Sequence, residues 1–551
     1  MTRHSTSILL TALILGACAP SVETASTAAP VPQAAPTEPE PSPPTPEPDE
    51  ELATAPDNWW LLDEGSDHVY GTSSERAYRE LLAGQSPEQA VVVAILDSGV
   101  DIEHLDLADN IWVNEDEVAG NGVDDDDNGY VDDVHGWSFL GGPDGRDVHY
   151  DSYELTRLYA ECRDRGELDT PDCRAIADEF EAERAEAEET LQQYRTMSST
   201  LEQVTTFLEQ HLGVDSLTTE AVAGIRSLQT DALQARQLYL QFMELGATQE
   251  ALDEGIEAFS VRLEYGFNPE FDPRPIVGDD YSDPTDRFYG TNRVEGPEAE
   301  HGTHVAGIVG AERGNGLGVD GIASEVELMV VRTVPQGDER DKDIANAIRY
   351  AVDNGAQIIN MSFGKGHSPG KEQVDEAVRY AESRGVLIVH AAGNDGVDLD
   401  SEINYPNRFY DAGGEADLWI EVGASSWQHA DSLAAPFSNY SGSRVDVFAP
   451  GVEILSTVPG DEYERNQGTS MAAPVVSGLA AMLMAYFPSL SATEVKDIIL
   501  ETATRYPGQD VVLPGGAGGQ EPFANLSVTG GIVNAYAAIE RAAEVAGLAA
   551  R

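Results

Sequence analysis

Short apolar runs alternate with stretches of helical periodicity along two separate parts of this chain. Residues 90–96 are all apolar, which fits a strand buried on both faces of a sheet. Strand-like runs recur at 326–331, 358–361 and 386–391, and the segments 341–354 and 371–384 between them have helical spacing. Parallel strands covered by helices produce this rhythm. We therefore predict an α/β fold with a mostly parallel central sheet.

A different pattern fills residues 150–266. Apolar side chains three, four or seven positions apart stand there among Glu and Gln: Leu191, Tyr194, Leu201, Val204, Leu208 and Leu212. Thr170 followed by Pro171 is typical of an N-cap and a first helical position. We predict a helical insertion of three or four helices at 150–266, which divides the α/β domain into 58–149 and 267–545.

One further helix is predicted to be apolar almost all round. Gly468-Thr-Ser470-Met-Ala-Ala-Pro474 precedes an apolar run at 475–487 with helical spacing, and we expect Pro474 in the first turn. Ser470 would then stand at the positive end of a buried helix, where an oxyanion is stabilised. A serine that only caps the helix is the alternative, and this stretch alone favours that interpretation.

Polar residues that could serve such a nucleophile follow the predicted strands. Asp97 comes directly after residues 90–96, and Asn394 follows 386–391. Parallel strands carry their chemistry at their carboxyl ends, so both should lie at one edge of the sheet. His301 begins a small-residue helical stretch, and imidazole is the side chain suited to act as a base near neutral pH. An acid, a histidine, an amide and a serine are the parts that acyl transfer requires.

These motifs resemble the subtilisin-like serine proteases, the subtilases. The resemblance rests on Ala-Ile-Leu-Asp97-Ser-Gly, His301-Gly-Thr-His-Val-Ala-Gly and Gly-Thr-Ser470-Met-Ala-Ala-Pro, in the order that the family has. It implies a three-layer fold, with Ser470 as nucleophile, His301 as general base and Asp97 as the acid that orients it. Asn394 would stabilise the oxyanion, and the matching substrate-binding residues are Ser362, Phe363, Gly364 and Gly393.

The implied activity is hydrolysis of peptide bonds by a serine endopeptidase, through an acyl-enzyme intermediate and without a catalytic cofactor. Its partners would be polypeptide substrates, and we expect a monomer. The alternative is a catalytically idle protein of the same fold, used as a binding or scaffold protein of the cell envelope with the insertion as its docking surface. The His304 position matches the family's second histidine, for which we expect a structural role.

Composition excludes some partners. The chain has 98 acidic and 32 basic residues and a net charge of −66, which argues against binding nucleic acid. The composition favours an acidic surface adapted to high salt, and ion binding by many carboxylates is the alternative.

The beginning of the chain predicts export. Residues 1–17 form a short basic start and an apolar run too short to span a bilayer, which is typical of a signal peptide. Leu15-Gly-Ala-Cys18 resembles the bacterial lipoprotein box, which implies that Cys18 is lipidated and anchors the protein to a membrane, with Ala19 favouring the outer one. Residues 18–57 are rich in Pro and Glu and should form an extended tether.

Two further sites are predicted away from the serine. Asp124, Asp126 and Asn128 alternate before Gly129, with Asp132 further on, as in the first half of a calcium loop. A solvated acidic turn is the alternative, because the glutamate that ends a full loop is missing. The family resemblance adds Asp106 as a calcium ligand. Cys162 and Cys173 should form a disulfide in an exported protein.

Overall fold

The computed structural model describes residues 54–226, 229–428, 430–516 and 518–547. The predicted signal peptide, Cys18 and nearly all of the predicted tether lie outside these ranges. Their interpretation therefore stays a prediction.

Nine strands of the described chain form the central sheet, and two pairs lie apart from it. The bounds are β1 Val91–Asp97, β2 Gly136–Ser138, β3 Val326–Arg332, β4 Ile358–Met361, β5 Leu387–Ala391, β6 Trp419–Ser425, β7 Val447–Pro450, β8 Ile454–Val458, β9 Glu462–Asn466, β10 Thr504–Arg505, β11 Asp510–Val512, β12 Gln520–Pro522 and β13 Gly531–Ile532. The sheet order is β10-β13-β7-β6-β5-β4-β1-β3-β2, with β8-β9 and β11-β12 as separate hairpins. Every pairing in the large sheet is parallel except that of β10 with β13.

The helices of the described chain fall into two groups, those that cover the sheet and those of the insertion. Their bounds are α1 Glu64–Asp67, α2 Ser74–Glu80, α3 Glu154–Asp164, α4 Pro171–Leu212, α5 Thr219–Ala223, α6 Thr230–Glu244, α7 Gln249–Val261, α8 Glu300–Gly310, α9 Asp341–Asp353, α10 Lys371–Ser383, α11 Thr469–Tyr486, α12 Ala492–Glu501 and α13 Ala535–Val545.

Alternate residues of β1 enter different cores, which explains why its sequence is apolar throughout. Val91, Val93 and Ile95 pack with α8 and α11 on one face of the sheet. Ala94 and Leu96 pack with α9 and α10 on the other. A strand buried on both faces by helices is the central layer of three. The predicted α/β fold is confirmed.

The middle of the sheet is covered by α11. It is the one helix among the described residues that is long and apolar enough to span a membrane by composition, and 89% of that stretch is buried inside the protein. Its burial against β4, β5 and β6 accounts for its apolar sequence, as in the core helix of an α/β protein.

Between β2 and α8 the chain leaves the α/β layers and forms helices α3 to α7. α4 is 42 residues long, and α6 and α7 pack along it. Cys162 of α3 and Cys173 of α4 form a disulfide. The two ends of this insertion meet, because the N–H of Tyr153 donates to the carbonyl oxygen of Gly266 at 3.0 Å. The Tyr153 ring also lies 4.8 Å from that of Phe267.

Buried ion pairs attach the base of the insertion to the α/β part. The Lys365 ammonium lies 2.8 Å from Glu154 of α3 and 2.9 Å from Asp341 of α9. Arg157 lies 2.6 Å from the same Glu154 carboxylate. These charges hold the pKa of Glu154 at about 2 against the effect of its burial. A buried pair that is broken is costly, so the insertion is held firmly at its base.

Candidate active site

Asp97 and His301 are hydrogen-bonded although 204 positions separate them. Asp97 ends β1 and is 1% exposed, and His301 is in the first turn of α8. His301 Nδ1 lies 2.7 Å from Asp97 Oδ1, which also accepts the Ser98 N–H at 2.7 Å. A carboxylate at Nδ1 fixes the neutral ring as the tautomer with its proton there. Nε2 is then left free to accept a proton.

The close approach of α8 to the end of β1 depends on Gly302. A Cβ at this position would lie 2.1 Å from the carbonyl oxygen of Gly99 and 3.2 Å from the Cβ of Asp97. Any side chain would push α8 away from the loop and lengthen the contact between Asp97 and His301.

The electrostatic environment of His301 favours its charged form. Burial lowers the pKa of the imidazole, but the charge and hydrogen bond of Asp97, together with Glu300, outweigh it and raise the pKa above its ordinary value. Since 40% of the side chain is exposed, solvent can exchange protons with the ring.

The second histidine of α8 has different surroundings. His304 is fully buried, and its Nε2 lies 3.0 Å from the carbonyl oxygen of Ile454 and 3.1 Å from that of Glu464. Burial lowers its pKa to about 3, so the ring is neutral at ordinary pH. His304 joins α8 to the β8-β9 hairpin.

The amide of Asn394 is oriented by the start of α11. Its Oδ1 accepts the backbone N–H of Thr469 at 2.8 Å and the Thr469 hydroxyl at 3.0 Å. A backbone N–H can only donate, so the amide oxygen must face Thr469, which leaves the NH₂ group free to donate elsewhere. The Thr469 hydroxyl oxygen also accepts the N–H of Gly393 at 3.1 Å. One threonine thus joins the loop after β5 to α11.

Ser470 and Ser362 are bonded to each other in both directions. The Ser470 hydroxyl donates to the carbonyl oxygen of Ser362 at 3.1 Å, and the Ser362 hydroxyl donates to that of Ser470 at 2.9 Å. Pro474 explains the second bond. It lies inside α11 and not in the first turn as we predicted. In a regular α-helix the residue at position 474 donates its backbone N–H to the carbonyl oxygen of Ser470, and proline has no N–H to donate.

Four of the predicted residues meet in one open cavity of about 740 Å³: Asp97, His301, Asn394 and Ser470. Ser362 also lines it, as do Gln336 and Gly337 from the loop after β3. The structure therefore brings together an acid, a histidine, an amide donor and a serine in one cleft. This arrangement can support nucleophilic attack by the serine with the histidine as base.

The other predicted substrate-binding residues lie beside this cleft. Gly364 lines a neighbouring cavity of about 640 Å³ together with Asp395 and Asn404. The Phe363 ring packs against the core under the sheet, and its carbonyl oxygen lies 2.9 Å from Nε2 of the buried His390. Gly393 has a φ of 102°, which suits glycine, and forms the turn that presents Asn394.

The predicted calcium ligands separate into two places. Carboxylate oxygens of Glu117, Asp124 and Asp126 lie within 4.8 Å of one another. Asn128 hydrogen-bonds to Asp126 at 3.0 Å, whereas both oxygens of Asp132 accept backbone N–H groups of the loop.

Asp106 is in a separate environment. It is fully buried, and its carboxylate accepts hydrogen bonds from the Asn315 amide at 2.7 Å and from the Tyr463 hydroxyl at 3.2 Å.

Comparison with known families agrees with this geometry. The subtilase family model, peptidase S8, matches residues 88–518, which is well over half of the chain and contains the whole cleft. The chain belongs to the subtilase family. The matched range includes the helical insertion.

Known subtilases match parts of this chain. The thermophilic serine proteinase of Bacillus sp. (strain AK1) is 38% identical over 244 residues, which are 44% of this chain and 54% of that protein. Subtilisin BL of Lederbergia lenta is 39% identical over 205 residues, 37% of this chain and 70% of that one. The chain thus spans about half the length of the first of these relatives. A solved structure of proteases from Pseudoalteromonas arctica PAMC 21717 has a TM-score of 0.36 and 30% identity, over 46% of this chain and 74% of that one.

Sequence reasoning missed several residues of this subtilase cleft. Glu254, Glu257 and Ala258 of the insertion line it, and so do Glu298, Glu453 and Arg465. Glu298 and Glu300 lie directly before His301 in the sequence, so their closeness to this motif could have suggested that they line the cleft. Because the insertion leaves the chain from a loop at the active-site edge, the sequence allowed it to shade the cleft, but did not identify α7 as the helix that reaches it. Thr469 stands beside Ser470 in the motif, but the motif alone did not indicate that it orients Asn394.

Proposed function

We propose that this protein is a serine endopeptidase that cleaves exported polypeptides, with Ser470 as nucleophile, His301 as general base and Asp97 as orienting acid. The observation that supports this most directly is the hydrogen bond of 2.7 Å between His301 and Asp97 at the edge of a cleft that also contains Ser470 and Asn394. Membership of the subtilase family supports the same reaction class.

In the proposed reaction the Ser470 hydroxyl first turns from the Ser362 carbonyl towards His301. Its Oγ attacks the peptide carbonyl carbon while its proton passes to His301 Nε2. The charged imidazole is stabilised by Asp97. The carbon–nitrogen bond then breaks, His301 returns the proton to the leaving amine, and an acyl-enzyme remains on Ser470. Water, deprotonated by His301, hydrolyses the ester and restores the serine.

The oxyanion formed in each half of the reaction needs donors that are already oriented. The free NH₂ group of Asn394 supplies one, and the N–H of Ser470 at the first turn of α11 supplies another. Because Thr469 holds the amide from its oxygen side, little reorganisation is required when the charge develops. Loss of such a side-chain donor costs about 3–4 kcal/mol of transition-state stabilisation.

A direct test compares the protein with its Ser470→Ala variant on casein and with a fluorophosphonate probe. We expect the unaltered protein to digest casein and to be labelled covalently at Ser470, and the variant to do neither. Equal turnover in both would contradict the proposal. Absence of turnover and labelling in both would instead favour an idle binding or scaffold protein of the same fold.

We also propose a calcium ion in the acidic loop. The fit rests on the three carboxylates of Glu117, Asp124 and Asp126, because hard oxygen ligands close together suit this cation. Asp106 is offered as a second calcium ligand only by family resemblance. An ion in the acidic loop would neutralise its charge and stabilise the fold there, and the reaction at Ser470 would not involve it.

Export and anchoring are proposals as well. The lipoprotein-like segment ending at Cys18 supports attachment to the cell envelope through lipid, with residues 18–57 as the tether. Expression of the Cys18→Ala variant in a bacterial host tests this. The original protein should sediment with membranes and incorporate radiolabelled palmitate, and the variant should do neither.

A further inference from the structure

Helix α7 of the insertion forms one wall of the cleft that contains Ser470. Glu254, Glu257 and Ala258 line the cavity of about 740 Å³ together with His301 and Ser470. These three positions are spaced three and four residues apart, so they share one face of the helix. The insertion is therefore part of the cleft and not a separate appendage.

The opposite face of α7 fixes this orientation. Leu252 is fully buried in the core of the insertion, and a Cβ at Gly255 would lie 2.3 Å from the ring of Tyr194 on α4. Phe259 packs with the aromatic cluster at the base of the insertion. Since these contacts keep α7 in place, Glu254 and Glu257 stay on the side of the helix that faces the cleft.

The charge around the cleft is strongly asymmetric. Among the described residues that line it there are five glutamates and one arginine, namely Glu254, Glu257, Glu298, Glu300, Glu453 and Arg465. The guanidinium of Arg465 is already paired with Asp57 and with backbone carbonyl oxygens of Ala55 and Glu453. Glu298 is paired with His149 at 2.9 Å. Glu254 and Glu257 have no cationic partner of this kind in the described chain.

Glu254 offers a further observation. Its Oε2 atom is buried and has no hydrogen-bond partner among the described residues. Burial, with the nearby Glu250 charge, raises the pKa of this carboxyl. A buried carboxylate oxygen without a donor is costly, so Glu254 gains free energy when its side chain turns towards a cationic group bound in the cleft.

The cavity continues past the catalytic residues. A second pocket of about 310 Å³ shares Glu257, Ala258, Glu298, Gln336 and Gly337 with the first. Its far end contains Arg262, whose guanidinium lies near the rings of Tyr153 and Phe259. Arg262 offsets negative charge at this far end, whereas Glu254 lines only the larger cavity, the one that contains His301 and Ser470.

From these observations we propose that α7 determines substrate specificity, and that Glu254 and Glu257 select polypeptide segments with a lysine or arginine beside the bond that is cleaved. This inference rests on the proposed peptidase function. Carboxylates lining a partly enclosed cleft discriminate a cationic side chain from a neutral one of the same length, because only the cation gains from their field.

The test uses fluorogenic peptides of one sequence in which lysine replaces norleucine at each position from three before to three after the bond. The full-length protein should show a kcat/KM ratio of lysine to norleucine of about tenfold or more at one or two positions. In the double variant Glu254→Gln/Glu257→Gln this ratio should fall towards one. In the unaltered protein it should also fall as salt is raised, because exposed charges are screened.

Glu250→Gln is the matched control. Glu250 is on the same helix and carries the same charge, but it is exposed and does not line the cleft. Its lysine-to-norleucine ratio should be no lower than that of the unaltered protein, because loss of the Glu250 charge can only favour the ionised form of Glu254. A fall as large as in the double variant would mean that the general charge of the insertion is responsible, and would overturn a role for these two residues.

Fluorophosphonate labelling separates failure of this inference from failure of the proposed function. If Ser470 is labelled and the lysine and norleucine peptides are cleaved with equal kcat/KM, the specificity proposal is wrong while the peptidase proposal stands. If Ser470 is not labelled and no peptide is cleaved, the peptidase proposal fails, and the specificity proposal fails with it.

Discussion

Replacing Ser362 by alanine tests how the chain accommodates a proline inside its central helix. The Ser362 hydroxyl donates at 2.9 Å to the Ser470 carbonyl oxygen, which Pro474 leaves without its helical donor. It also accepts the Asn360 amide at 3.0 Å. Ser362 is 4% exposed, so water has little access to replace either bond.

The cost can be worked from these contacts. Truncation to alanine leaves a partly buried carbonyl oxygen and a buried amide N–H without their partner, and each unsatisfied group costs about 1–3 kcal/mol when it is fully enclosed. Because the carbonyl oxygen is only partly buried, we expect the free energy of unfolding to fall by about 2–3 kcal/mol in total.

The decisive comparison includes Pro474→Ala, which restores a backbone N–H in line with the Ser470 carbonyl. In that background the Ser362→Ala change should cost about 1 kcal/mol less, because the carbonyl has a donor again. All variants carry Ser470→Ala, which prevents self-digestion and leaves the carbonyl in place.

Urea denaturation followed by tryptophan emission measures this cycle. The chain has six tryptophans, and none lies in the insertion, so the signal reports the α/β part alone. If the two substitutions are additive, the Ser362 hydroxyl does not replace the missing helical donor, and the reasoning is refuted. A Ser362→Ala variant as stable as its parent would refute it equally.

Three further predictions concern the site and its supports. The acid limb of the pH profile of kcat/KM should have its midpoint above about 6.5, because Asp97 raises the pKa of His301 and only the neutral ring is a base. The Asp97→Asn variant should have this midpoint at lower pH. A midpoint that does not move would show that another group controls the acid limb. Chelation of calcium should lower the melting temperature of the parent protein but not of an Asp126→Asn variant, and a parent that does not respond has no structural ion in that loop. Replacing Cys162 and Cys173 by serine should destabilise the insertion by about 2–3 kcal/mol, the value expected from the length of the loop that the disulfide closes. Far-ultraviolet circular dichroism should show this loss of helix while tryptophan emission is unchanged. A simultaneous loss of both signals would mean that the insertion and the sheet unfold together.

Much of the fold and the cleft could be predicted because their signals are local. Residues 90–96 are apolar throughout since β1 is buried on both faces, and a parallel sheet places Asp97 and Asn394 at one edge. The small residues after His301 indicated a tightly packed helix, and Gly302 is the one whose Cβ would meet Gly99 and Asp97. Such signals lie within a few positions of the residue that they concern.

The remaining features depend on how distant segments dock. Helical periodicity can show which side of a helix is apolar, but not what its polar side will face, so Glu254 and Glu257 could not be assigned to the cleft. Pro474 was expected in the first turn because proline is common there; a hydroxyl 112 positions earlier, on Ser362, compensates for its interior position. Glu117 lies before the alternating positions of the predicted calcium loop, so the spacing of the loop residues could not show that it approaches Asp124 and Asp126.

The meeting of the two ends of the insertion at Tyr153 and Gly266 has a consequence for how the chain reaches its native state. β1 must pair with β3 across more than two hundred intervening residues, and closing so long a loop costs entropy that grows with its length. Helices form from local contacts and therefore faster than parallel strands can pair. Once α3 to α7 have folded and brought Tyr153 beside Gly266, about a hundred residues no longer contribute to that loop. Because its two ends meet, this segment could also be gained or lost during evolution without a change in the strand order of the sheet.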